Sequence, residues 1–373
     1  MTDISLEAIL ADIAAWAAIE SPTDRPDAVN AMISHLEAQH RDLGMAVERI
    51  AGFGGRGDKL IARAPWGRPD AAGILVISHI DTVHPLGTLA RFPIRRVGDR
   101  LEGPGIFDMK GGACMALEAA RSILRSGGQP LLPLTFLYVP DEEIGSQTSR
   151  EIIAELARKA RFVLVAEGAD TLQSVVTART GSLKFDLEIQ GVAAHSGADH
   201  RQGRSALLEL AHQIIALEAM TDYERDITFN VGTASGGTRA NVVPDQAVAR
   251  VDVRVTQVEA AQEALARIEA LKALTPDVRI NYRGGIWRLP YEQDAGIEAL
   301  LQKAQAQARA IGFELHGGRG RGGSDANLVA PHAPVLDGLG PVGGGAHTLG
   351  EWIDLTSLQP RTRLLRELML TLA

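Results

Sequence analysis

The stretch Ile74-Leu75-Val76-Ile77-Ser78-His79-Ile80-Asp81-Thr82 decides how the rest of the chain is read. Four consecutive aliphatic residues after Gly73 have the pattern of a parallel strand buried on both faces. The strand runs into a histidine and an aspartate two positions apart, and residues at i and i+2 of an extended chain point the same way. His79 and Asp81 thus share one face at the carboxyl end of a central strand, where open α/β sheets place their ligands. An imidazole whose second nitrogen donates to a carboxylate has the arrangement of a metal-bound histidine. Taken singly, His-x-Asp is equally an ordinary polar pair in a turn. Recurrence along the chain separates the two readings.

Three further segments repeat the pattern. Gly103-Pro104-Gly105-Ile106-Phe107-Asp108-Met109-Lys110-Gly111-Gly112 leads into a helix expected over about 113–124. Asp108 near its start sits where free amides and the helix dipole favour an anion, although a plain capping aspartate fits there too. A dinucleotide loop does not fit, because Asp108 replaces the third glycine of Gly-x-Gly-x-x-Gly. A strand over 131–139 ends in Asp141-Glu142-Glu143, three acids that are costly to gather beside an apolar strand unless cations balance them. A solvated acidic turn is the alternative. A strand over 162–166 ends in Glu167. Near the other end, Gly343-Gly344-Gly345-Ala346-His347 puts a histidine on backbone that can approach a ligand closely.

Length and charge narrow the classes. The chain has 373 residues, 45% apolar, with a formal net charge of −8. That length suits two domains. No basic cluster of the kind a phosphate backbone requires is present, which argues against nucleic-acid binding. Cys114 is the single cysteine, which excludes an intrachain disulfide and a thiolate zinc cluster. The opening residues Met1-Thr2-Asp3-Ile4-Ser5-Leu6-Glu7 lack the basic and apolar regions of a signal peptide. No apolar run is long enough for a membrane span. A cytoplasmic protein is the simplest expectation.

The texture changes between about 180 and 284. Strands over 183–189, 227–233, 247–255 and 278–282 alternate with helices over 205–220 and 258–274, in the order β-α-β-β-α-β of a ferredoxin-like sandwich. The expected class is α/β: a mostly parallel sheet flanked by helices over 1–177 and 288–373, with an inserted α+β domain over 178–287. The glycine loop Gly317-Gly318-Arg319-Gly320-Arg321-Gly322-Gly323-Ser324 lacks the Lys-Ser/Thr ending of a phosphate loop.

His79, Asp108, Glu143, Glu167 and His347 offer nitrogen and oxygen donors without sulfur. Five ligands exceed the needs of one tetrahedral zinc. They suit two divalent ions about 3.5–4 Å apart under a bridging carboxylate. Asp108 is the natural bridge, since the other four divide into two sets of one histidine and one glutamate. A non-ligand carboxylate must then take and deliver the proton of the attacking water, and Glu142, directly before Glu143, is placed for it. Cobalt or manganese fits these ligands almost as well as zinc.

Taken together, these runs resemble the dizinc aminoacylase and carboxypeptidase family, most closely its glutamate carboxypeptidase subgroup. Further matching runs are Gly191-Val192-Ala193-Ala194-His195-Ser196-Gly197, Asn241-Val242-Val243-Pro244, Asp252-Val253-Arg254, Gly322-Gly323-Ser324-Asp325-Ala326 and His347-Thr348-Leu349-Gly350-Glu351. The resemblance implies a zinc exopeptidase-like catalytic domain with two zinc ions. His79 and Glu167 hold one, Glu143 and His347 the other, with Asp108 between. It also implies that Asp81 orients His79, that Glu142 is the general acid and base, and that the inserted domain is a lid through which a homodimer forms. His195 is then expected to reach the partner subunit's active site and stabilise the oxyanion. Asn241, Arg254, Gly323 and Ser324 fall on substrate-contacting positions. Read without the resemblance, His195 is a surface-loop histidine and Arg254 a strand-end ion pair.

One departure concerns substrate choice. Glutamate-cleaving relatives often carry Arg-Gly-Arg after the last lid strand, and this chain has Arg283-Gly284-Gly285 followed by Arg288. Arg319 or Arg321 is the other candidate for a substrate carboxylate. The expected reaction is hydrolysis of an amide next to a free carboxylate, in a peptide or N-acyl amino acid. The competing enzyme reading is a deacylase resembling acetylornithine deacetylase or succinyl-diaminopimelate desuccinylase. The competing reading of another class is a non-catalytic metal- or peptide-binding relative, which would be expected to lack Glu142.

Overall fold

The computed structural model describes residues 4–68, 71–320 and 322–373. Met1, Thr2 and Asp3, which begin the segment read as lacking a leader, and Arg321, one of the candidate substrate-reading arginines, lie outside the described residues. The chain divides into two compact units: 1–178 with 293–320 and 324–373, and 179–292 with 321–323. The expected insert, 178–287, stops five residues short of the second boundary. Its last strand is longer than its apolar pattern suggests.

In the first unit the strand Gly73–His79 lies inside a six-stranded sheet. Ile74, Leu75, Val76 and Ile77 are each at most 2% exposed. Burying such side chains contributes about 1.5–3 kcal/mol apiece before chain entropy is set against it. The strand pairs in parallel with Leu134–Val139 on one side and Ala160–Val165 on the other. Val335–Leu336 extends the parallel part. Lys59–Arg63 and Ala46–Ile50 add two antiparallel strands beyond Leu134–Val139. Three neighbouring parallel strands therefore end at the same edge, and their next residues are the acids and the histidine singled out above.

Helices cover this sheet because their apolar residues recur on one side. Leu6–Ala18 buries Ile9, Ile13 and Trp16 and begins at Ser5, whose hydroxyl accepts from the Ala8 amide at 3.1 Å. Gly111–Ser126 is buried along most of its length. A β-carbon at Gly112 would lie 1.7 Å from the Ala166 carbonyl oxygen, so glycine is what lets this helix start beside the strand end that precedes Glu167.

The second unit is a four-stranded antiparallel sheet. Its strands Thr228–Gly236, Gln246–Val255, Gly181–Gln190 and Arg279–Arg288 lie side by side in that order. Leu183, Phe185, Leu187 and Ile189 face a core shared with Leu210, Leu217, Ala264 and Ile268 of two helices, Ala206–Glu218 and Val258–Glu269. The sequence reading ends the last strand at Tyr282, but pairing continues through Gly284 opposite Phe185 and Gly285 opposite Lys184 to Arg288. Gly284 has φ +134°, and a β-carbon there would meet the Lys184 carbonyl oxygen at 2.0 Å. Arg283 is therefore on the sheet itself, where it pairs with Glu188 at 3.3 Å.

Gly112→Ala is expected to lower stability by about 1–3 kcal/mol, the usual range for forcing extra volume into a packed interior. The midpoint of urea denaturation checks this, and an unchanged midpoint would show that the helix start can shift freely.

Candidate metal centre

Five chain segments meet at the sheet edge. His79 is the last residue of its strand and is 1% exposed. Glu142 and Glu143 lie in a short 3-10 turn, Glu142–Ile144, after the strand Leu134–Val139. Asp141 pins that turn by accepting from the Thr148 amide at 2.6 Å and the Ser149 hydroxyl at 2.5 Å. Asp108 precedes the helix Gly111–Ser126, and the peptide bond between Asp108 and Met109 is cis. His347 ends the glycine run in left-handed backbone with φ 65°, a conformation that costs a non-glycine residue about 1–2 kcal/mol.

The contacts form a symmetrical pattern about Asp108. Its Oδ1 is 2.9 Å from His79 Nε2, and its Oδ2 is 3.1 Å from His347 Nε2. Glu143 Oε2 lies 3.0 Å from His347 Nε2, and Glu167 Oε1 lies 3.7 Å from His79 Nε2. Each imidazole therefore has its own glutamate and shares the aspartate. Asp81 is fully buried. Its backbone oxygen is 3.0 Å from His79 Nδ1, and its carboxylate oxygen is 3.5 Å away. The same carboxylate accepts from the Glu142 and Glu143 amides at 3.2 and 3.3 Å and from the Thr23 hydroxyl at 2.7 Å. It links the histidine strand to the acidic turn. Thr23 had no signal in the sequence beyond its place after a proline.

Proton affinities show what the cluster lacks. Burial pushes Glu143 upward against its bond from His347, and the Asp108 charge adds to the rise. Burial also pushes Glu167 well above the usual carboxylate range, with His79 opposing. For Asp108 burial again raises the value, but hydrogen bonds from His347 and His79 prevail and hold it low. Burial lowers His79, yet bonds to Asp108 and Asp81 carry it well above the ordinary imidazole value. His347 is lifted to about 10, chiefly by its bonds to Asp108 and Glu143. The surrounding carboxylates thus draw both imidazoles toward the cationic form. A divalent cation supplies positive charge more fully and leaves the imidazoles neutral, the form in which they are ligands. Glu143 Oε1 is buried with no hydrogen-bond donor among the described residues. His79, Asp108 and Glu143 each present a ligand atom, all within 4.8 Å of one another. The donor set fits hard or borderline divalent ions.

The profile of Peptidase family M20/M25/M40 matches residues 75–371. The chain belongs to this family. It is accordingly a metal-dependent hydrolase with a candidate metal site. It is 31% identical over 363 residues to carboxypeptidase G2 of Pseudomonas sp. (strain RS-16), covering 95% of this chain and 86% of that one. A probable carboxypeptidase of Paracoccidioides brasiliensis (strain Pb18) is 29% identical over 308 residues, with 75% and 68% covered. Among solved structures, aminopeptidase PepT from Bacillus cereus ATCC 10987 superposes with a TM-score of 0.80 at 21% identity, covering 98% of both chains. The metallo-carboxypeptidase Sso-CP2 from Sulfolobus solfataricus gives 0.76 at 17%, covering 97% of this chain and 98% of that one. These two likenesses speak to the fold alone.

The remaining residues singled out from the M20 resemblance are less uniform. In the second unit His195 is exposed on a two-residue strand, Ala194–His195, paired with Val242–Val243. Its Nδ1 accepts from the Gly197 and Ala198 amides at 3.1 and 3.2 Å, so the proton of the neutral ring sits on Nε2. Asn241 is exposed and its carbonyl accepts from the Ser196 amide at 3.0 Å. Arg254 forms the strand-end ion pair, with Nε 2.5 Å from Asp252 Oδ1. Arg288 is buried and Gly323 and Arg319 are exposed. The Ser324 side chain is turned inward. It is fully buried, donating to Asp337 at 2.6 Å and accepting from the Ala326 amide at 3.1 Å.

Asp81→Asn replaces an acceptor oxygen by a donor facing two amides and a hydroxyl. Retention of divalent metal is expected to weaken about 10–100-fold, the usual consequence of altering a partner behind a ligand histidine. Competition with a chromophoric chelator measures it, and wild-type affinity in the variant would remove Asp81 from the centre.

Proposed function

We propose that this chain cleaves an amide bond next to a free carboxylate, releasing the C-terminal residue of a peptide or the amino acid of an N-acyl amino acid, with a glutamate-type leaving group favoured. The observation that carries the proposal is Asp108, each of whose oxygens meets an imidazole that has a glutamate of its own. In this reading His79 and Glu167 hold one divalent ion, Glu143 and His347 hold the other, and Asp108 is shared. When bound, such ions supply Lewis acidity that polarises the scissile carbonyl and lowers the pKa of a water to about 7.

The chain's own groups do the rest. Glu142 takes the proton of the attacking water and delivers it to the leaving nitrogen. Its turn is anchored through its amide to Asp81, so the proton carrier and His79 share one support. The Nε2 hydrogen of His195 suits donation to a developing oxyanion, across a homodimer in the arrangement that the resemblance suggests. Dimerisation through the 179–292 unit and a cytoplasmic setting belong to the same proposal. The similarity to carboxypeptidase G2 supports release of a C-terminal residue, and the glutamate-type leaving group rests on the resemblance read from the sequence. Arg283-Gly284-Gly285 weighs against a glutamate specificity carried over unchanged, since Gly285 stands where such relatives often carry the second arginine.

A substrate panel tests the reading: N-acyl glutamates should be turned over, with the free amino acid detected as product. Turnover of acetylornithine or succinyl-diaminopimelate in their place would make the chain a biosynthetic deacylase. Glu142→Ala is expected to lower kcat by about 10²–10⁴-fold, the span of a lost general base, while bound metal per subunit is unchanged. Dialysis against a strong chelator should abolish activity, and zinc, cobalt or manganese should restore it. Full activity in protein shown by elemental analysis to be free of divalent ions would refute the metal reading.

A further inference from the structure

We infer that Glu351 is a positioning residue of the metal centre, setting the spacing between Asp108 and His347. This rests on the two-ion reading above and adds a residue to it. Glu351 is fully buried. Its Oε2 accepts from the Gly105 amide at 2.7 Å and from His84 Nε2 at 2.9 Å. Its Oε1 accepts from the Phe107 amide at 2.8 Å and from the Asp108 amide itself at 3.0 Å. Its backbone carbonyl takes the Gly103 amide at 3.2 Å.

A carboxylate in a dry interior is costly unless its lone pairs are filled, and these four donors fill them. What they connect is the point of interest. His84 lies on the loop that leaves the His79 strand. Residues 103–108 carry the shared aspartate. Glu351 stands four residues after His347, across a turn closed by the Thr348 amide to the Gly345 carbonyl. Three segments that bring candidate ligands from distant parts of the chain therefore converge on one side chain, whose own oxygens are taken up by these donors.

Glu351→Gln leaves one acceptor oxygen and turns an NH₂ group toward N–H donors, so at least part of the convergence is lost. His84→Ala removes one donor and keeps the amides. The test uses full-length protein stripped of metal, with circular dichroism and gel filtration to establish that each variant is folded. Zinc affinity is measured by chelator competition, and the visible absorption of the cobalt-substituted protein reports ligand geometry. Glu351→Gln should bind zinc about 10–100-fold more weakly, as partners behind a ligand do, with an altered cobalt spectrum. At saturating zinc, kcat should fall with KM unchanged. His84→Ala should shift both metal readouts in the same direction by less. A folded Glu351→Gln with wild-type affinity and spectrum overturns the inference. If that variant does not fold, wild-type readouts in His84→Ala overturn it instead. Wild-type protein that binds no stoichiometric zinc would refute the two-ion reading itself, a result distinct from either.

Discussion

Two imidazoles grip opposite oxygens of one carboxylate, and the first unit of the fold is organised to hold that pair of contacts. Asp108 is kept strongly acidic because His79 and His347 approach it from separate sides. Glu143 and Glu167 are pushed toward the neutral form because burial outweighs what the imidazoles offer them. Such a cluster is unstable as bare protein chemistry unless positive charge is supplied at its middle. The parallel strands create the problem by ending together at one edge, and the same geometry makes the site useful.

The supporting chemistry repeats one device. Asp81, Asp141 and Glu351 are each buried carboxylates whose oxygens take backbone amides of a neighbouring loop. Amides at the start of a turn have no partner within the turn, and an ionised acceptor binds them more strongly than a carbonyl does. Loops that would otherwise be pliable are held to the sheet this way. Glu142 and Glu143 owe their place to it, and so does the backbone of Asp108.

Much of this was legible in the chain because apolar runs and their endings carry the signal. Ile74 to Ile77 reads as a strand without ambiguity, and a histidine or acid at each following loop is a pattern that few accidents produce. The helix at Ala206–Glu218 falls within the span read over 205–220, and Ser205 caps its start. Ala46–Ile50 was not read as a strand, since only its pairing with Lys59–Arg63 defines it. The last strand of the second unit passed through two glycines that normally stop one. No local pattern in the sequence shows that Asp337 awaits the Ser324 hydroxyl. Glu351 stood in a quoted run, but its four donors come from segments up to 267 residues away, beyond the reach of periodicity.

The first unit is interrupted: five of its six sheet strands come before residue 178, while Val335–Leu336 and His347 lie after the whole second unit. On the ribosome, which makes chains from the amino end, the strand edge with His79, Asp108, Glu143 and Glu167 emerges long before its last member. Nascent chains cannot close the two-sided grip on Asp108 until translation has passed the intervening unit. A prematurely terminated product would lack His347 and Glu351, so the arrangement confines the complete site to polypeptides whose synthesis has run past residue 351.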